Sequence, residues 1–136
     1  MDKKKLYEII ETKSSLLTDL SDLIWEYSEL SLLEYKSTAA YVQVLAEEGF
    51  EVTENLCNIP TAFSGTYGSG KPVIGILGEY DALSGLSQAA GATERIPIEE
   101  NGCGQGCGHN LLGAGSLGAA IAIKEAIAAG ELSGTV

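Results

Sequence analysis

One stretch limits the folds open to this chain more than any other. Residues 111–129 form an apolar run rich in Gly and Ala, interrupted by charge only at Lys124 and Glu125. By count alone such a run is long enough to cross a bilayer. The two charges, and the thinning at Gly113, Gly115 and Gly118, argue instead for a buried helix packed closely on a sheet. A helix of that kind needs other layers to cover it, and the rest of the chain must provide them.

The candidates are legible from periodicity. Leu6, Ile9, Ile10, Leu17, Leu20, Leu23, Ile24 and Tyr27 fall at helical spacing and predict one long amphipathic helix over residues 3–30. A second helix is expected over residues 37–48, with Ala40, Tyr41, Val44 and Leu45 inward and Gly49 as its stop. Residues 50–56 and 61–67 read as strands, and residues 68–72 as a turn. The apolar run at residues 73–77, bounded by turn signals, fits a strand buried on both faces. Residues 84–108 show little pattern, and a loop of that length is usually functional or disordered. After a stop at Gly130, residues 132–136 look like the entry to another strand. Helices, strands, a helix and a strand entry describe an α/β sandwich only partly built.

Charge narrows the partners. Nineteen acidic residues against eight basic ones leave a formal charge of −11. A polyanionic nucleic-acid backbone and an anionic membrane surface both require a basic patch, so neither is expected as a partner. Lys3, Lys4 and Lys5 are followed by alternating polar and apolar residues and not by an apolar h-region, so no signal peptide is read. Cys57, Cys103 and Cys107 are an odd number and too few for a disulfide scaffold, which points to a reducing cytoplasm.

Several motifs carry potential chemistry. Residues 65–71, Gly-Thr-Tyr-Gly-Ser-Gly-Lys, match the first seven positions of a phosphate-binding loop, but Pro72 replaces the hydroxyl residue and a strand-like run follows where a helix is needed. A hairpin turn is the better reading. Cys103, Cys107 and His109 offer three donors for a structural zinc, one short of the usual four. Cys107 with His109 as its base would be a nucleophilic pair, but such partners normally come from separate elements. Glu79 and Asp81 directly follow the run at 73–77. Being two apart, they point to one side of an extended chain at the end of a strand, where α/β proteins place their ligands.

Taken together, residues 78–83 (Gly-Glu-Tyr-Asp-Ala-Leu), 100–102 (Glu-Asn-Gly) and 106–113 (Gly-Cys-Gly-His-Asn-Leu-Leu-Gly) resemble the dinuclear-metal aminoacylase and carboxypeptidase family, in its amidohydrolase branch. Residues 60–63 and 67–73 resemble that branch too, so the likeness covers nearly the whole chain. The resemblance implies the N-terminal part of a mixed-sheet, three-layer metallo-exopeptidase domain over residues 1–136, incomplete at its C-terminus and without the family's lid domain. It implies hydrolysis of amide bonds in N-acyl amino acids or small peptides, p-aminobenzoyl-glutamate among them. It makes Cys107 and His109 metal ligands and Asp81 a supporting residue beside the metals, and it leaves Glu79, which stands where other branches carry a His, without an assigned role. Two divalent ions, zinc or manganese, would share a water, lower its pKa and polarise the scissile carbonyl.

The chain also departs from the family. The expected catalytic glutamate, its neighbouring ligand glutamate and two further histidines are not among the 136 residues, and His109 is the single histidine. Gln105 stands where a His is common, and Cys103 where a proline is common. Three readings follow: part of an amidohydrolase, inactive alone; one half of a composite enzyme completed by another chain; or a non-catalytic binding module. An incomplete sheet with an open edge is expected to self-associate or to take up a complementing chain.

Overall fold

The computed structural model describes residues 2–136, and its hub is the helix that the apolar run specifies. That helix, α4, spans His109–Ala128. It packs on two N-terminal helices, α1 (Lys3–Thr12) and α2 (Ser14–Tyr27). Its small residues are explained by close approach. A side chain at Gly118 would press on Leu17 Cδ1 at 2.9 Å, and one at Gly113 would run into the Tyr41 hydroxyl and lie 3.0 Å from the Glu79 carbonyl. By length and composition α4 could cross a membrane. Here Leu117 and Ile121 are buried with Leu20, Ile24, Tyr41, Leu45 and Phe50 in one core, so α4 is read as the core helix of the molecule. Its interrupting charge is paired inside: Lys124 Nζ lies 2.5 Å from Glu125 and 3.5 Å from Glu48, and the other Glu48 oxygen takes Lys13 Nζ at 2.6 Å.

The single helix expected over residues 3–30 is two helices. The break is at Lys13 (φ −100°, ψ 6°), whose N–H bonds Ile10 three residues back. Thr12 and Thr18 turn their hydroxyls onto carbonyls of their own segment, a competition with the helical ladder that periodicity does not register. The break lets both helices reach α4. The second ends at Ser28, in a left-handed conformation with φ 45°.

Helix α3, Tyr35–Glu47, lies close to its expected position. Its first turn is capped from a distance by Glu29, whose carboxylate accepts from the N–H groups of Lys36 (3.0 Å) and Ser37 (2.8 Å) and from the Ser37 hydroxyl (2.8 Å). An anion there satisfies orphan donors and complements the helix dipole. Gly49 (φ 84°) ends α3 as expected, with Phe50 N–H returning to the Leu45 carbonyl.

Strands β1 (Glu51–Glu54) and β2 (Phe63–Thr66) form an antiparallel hairpin in the register Val52 to Gly65. Both are shorter than expected. Asn55, Cys57 and Asn58 have positive φ, and residues Leu56–Asn58 form a 3₁₀ turn. Strands β3 (Gly68–Ser69) and β4 (Gly134–Thr135) make a second antiparallel pair, so the strand entry expected at the end of the sequence is present. The phosphate-loop lookalike therefore runs from strand to strand, as its context implied.

Residues 73–77 are not the doubly buried strand that was expected. Val73 bridges Thr135 in parallel and Ile74 N–H bonds the Thr135 carbonyl at 2.9 Å, but pairing stops there. Val73, Ile74 and Leu77 are exposed. Apolar composition reports a tendency to be buried; burial on two faces also needs strands on both sides, and β4 reaches only the first of these residues. Helices with small antiparallel sheets and two parallel bridges, Val73 to Thr135 and Leu30 to Ala82, are compatible with an α/β architecture.

Candidate metal centre

The segment carrying Glu79 and Asp81 is fixed on both flanks. Before it, the Ser116 hydroxyl of α4 donates to the Leu77 carbonyl at 2.8 Å. After it, Ala82 N–H donates to the Glu29 carbonyl at 2.7 Å, and Leu83 exchanges two main-chain bonds with Gly104. Between them the Tyr80 ring packs on Tyr41 and Phe63, with centroids 5.2 and 5.8 Å away. Its hydroxyl donates to the Thr61 carbonyl and lies 3.0 Å from Thr38 Oγ1. Burial holds the Tyr80 phenol above its ordinary pKa against the opposing Thr38 bond, and the carboxylates of Glu34, Glu29 and Asp81 add to the rise.

The other wall is the first turn of α4. Gly108 (φ 80°) turns the chain from the loop into the helix, so His109 is the first helical residue. Gln105 joins the walls. Its Nε2 donates to the Tyr80 carbonyl at 3.1 Å and its Oε1 accepts from Asn110 N–H at 3.2 Å. Asn110 is buried in turn and donates to the Ser21 carbonyl and hydroxyl. The residue that looked like a departure is thus a structural staple. Sequence reasoning missed this role because a Gln and an Asn five residues apart in an irregular loop form no periodic signal.

These supports bring three side chains together. His109 Nδ1 lies 2.7 Å from Asp81 Oδ1, and His109 Nε2 lies 3.3 Å from Glu79 Oε2. His109 and Asp81 are partly buried, while Glu79 is exposed. One donor atom from each falls within 4.8 Å of the other two. With Asp81 accepting the Nδ1 proton, the ring keeps a lone pair on Nε2, the arrangement in which a carboxylate orients a metal-ligating imidazole. Two carboxylate oxygens and an imidazole nitrogen suit a divalent ion such as zinc or manganese, so the donor set fits the group that the motifs imply.

Cys107 is exposed and stands outside this group of three. Cys103 is partly buried and Cys57 exposed, and among the described residues the cysteines do not join His109 in a cluster of zinc-ligand type. Glu79, left without a role from the sequence, is the residue that the structure adds to the site.

Short strands and helices around a Glu-Asp-His group, on a chain carrying the amidohydrolase motifs, correspond to the hydrolase class of metal-site proteins. The particular relative is one of the subunits of the p-aminobenzoyl-glutamate hydrolase of Escherichia coli (strain K12), 44% identical over 129 residues. The match covers 95% of this chain and 27% of the relative, so the chain spans about a quarter of the length of the curated protein it matches. No protein-family model matches. The amidohydrolase resemblance read from the motifs thus extends along almost the whole chain.

Proposed function

We propose that this chain forms one wall of the metal site of an amidohydrolase acting on N-acyl amino acids or small peptides of the p-aminobenzoyl-glutamate type, and that further polypeptide completes it. The observation that carries the reading is His109 held by Asp81 with Glu79 beside its second nitrogen. His109 Nε2 and a Glu79 oxygen would hold a divalent ion, Asp81 would fix the ring, and Cys107, two residues before His109, would be a further ligand. When bound, the ion supplies an activated water and polarises the scissile carbonyl. The relative is described as one subunit of its enzyme, which supports the need for a partner. Three free thiols support a reducing compartment such as the cytoplasm.

The test is release of p-aminobenzoate from p-aminobenzoyl-glutamate. It is measured with the chain alone and with the Escherichia coli relative lacking its matching segment, each with and without zinc or manganese. Release is expected only from the mixture with metal, and loss of release with His109→Ala. An inactive mixture of folded components overturns the reading.

A further inference from the structure

The exposed run at residues 73–77 forms one side of a cleft of about 790 Å³ whose opposite side is β2. Apolar groups of Tyr41, Leu45, Leu117 and Ala120 lie along it, and Thr135 and Val136 stand at one end. Both sides are sheet edges. Strand β2 uses one edge to pair with β1, so its other edge faces the cleft. Among the described residues, Gly75 to Asp81 make no main-chain bond to another main chain.

The two edges are already in register with each other through the residues at the cleft's end. Val136 and Tyr67 exchange both main-chain bonds (2.9 and 3.0 Å), which sets an antiparallel ladder along β2. Thr135 N–H donates to the Pro72 carbonyl, and Ile74 N–H donates to the Thr135 carbonyl, which sets a parallel ladder along residues 73–78. Continuing each ladder by two-residue steps gives the groups left without partners: Gly65 and Phe63 on one side, Ile76 and Gly78 on the other. A strand running on from β4 alternates its own groups between the two sides, so a single extended segment meets both sets. Four residues at about 3.3 Å each would cover roughly 13 Å.

We propose that this cleft is a strand slot, filled by an extended polypeptide segment that runs on in line with β4, antiparallel to β2 and parallel to residues 73–78. The second position beyond Val136 projects to the same face as Val136, which packs on the core, so it takes an apolar side chain. Filling the slot converts two two-stranded sheets into one mixed sheet and buries the run at 73–77. This inference rests on main-chain register and does not depend on the metal site.

The experiment appends four residues after Val136 of the full chain, either Ile-Val-Ile-Thr or Gly-Pro-Gly-Ser, whose proline cannot donate to Gly65. Amide hydrogen exchange is read at Phe63, Gly65, Ile76 and Gly78, with Ile24 and Ile121 as reporters of folding. The apolar tail is expected to slow exchange at the four cleft amides on the order of tenfold or more, while the proline tail leaves them as in the unextended chain. Unchanged exchange with the apolar tail in a folded chain overturns the proposal. So does concentration-dependent protection of the same amides in the unextended chain, which would assign the slot to a second copy. If the tailed chain precipitates, the same residues added as a free peptide give the reading, and absence of protection there is again refuting.

Discussion

Replacing Asp81 by Asn isolates the step on which the metal reading turns. The change keeps the size of the side chain and removes its charge. In the native arrangement Asp81 Oδ1 lies 2.7 Å from His109 Nδ1, and both side chains are largely shielded, with exposures of 23% and 19%. A carboxylate there accepts the Nδ1 proton and leaves Nε2 free to ligate; an amide accepts less strongly and can present its NH₂ instead, which favours the other tautomer. Loss of such an orienting partner typically costs 10–100-fold in metal affinity, or about 1.4–2.8 kcal/mol. The assay is competition for zinc against a chromophoric chelator, with His109→Ala as the zero point. Because His109 is the single histidine in the chain, nitrogen NMR of the ring reports the tautomer without assignment ambiguity. Asp81→Asn is expected to weaken zinc by that factor and to shift the ring away from the Nδ1-protonated form. A variant that stays folded, loses the tautomer bias and still binds zinc as tightly as the native chain would refute the claim that Asp81 prepares His109 for a metal.

Four further outcomes follow from the packing. Gly113→Ala pushes a methyl group toward the Tyr41 hydroxyl and the Glu79 carbonyl and is expected to cost about 1–3 kcal/mol in denaturant titration. Ile121→Ala, at a site 1% exposed, is expected to cost about 2–5 kcal/mol by the same measurement. Burial raises the phenol pKa of both Tyr41 and Tyr80 above the ordinary value of about 10. The unfolded chain therefore releases these protons first as pH rises, and stability present below pH ~10 is lost above it. Denaturation midpoints should fall from pH 9 to pH 11, and Tyr41→Phe, which removes a buried hydroxyl without a hydrogen-bond partner among the described residues, should flatten that fall at no cost at neutral pH. Gln105→Ala breaks the link between the Tyr80 carbonyl and Asn110 N–H; it is expected to weaken zinc binding with little loss of helix content by circular dichroism, and unchanged affinity would show that the staple does not position the site.

Much of this molecule is legible in local sequence because it depends on local energies. The run at 111–129 becomes a helix within two residues of its expected start, and Gly49 ends α3 through its own positive φ. The pairing of Glu79 with Asp81 on one side of an extended segment follows from the two-residue period, and both reach His109 as that spacing implied. Where the reading failed, a distant partner made the decision. The break at Lys13 lets two helices follow the surface of α4, and Lys13 itself is drawn to Glu48, 35 residues away.

By itself, then, the sequence determined the elements, the donors and the family likeness, because these reside in residue type and spacing. Tertiary structure decided which donors meet. It set His109 between Asp81 and Glu79 and left Cys107 outside the group, through a Gln105 bridge invisible to any periodicity. It also decided the fate of residues 73–77. Their composition asks for burial, but burial of a strand is a property of its neighbours, and only β4 begins to supply one.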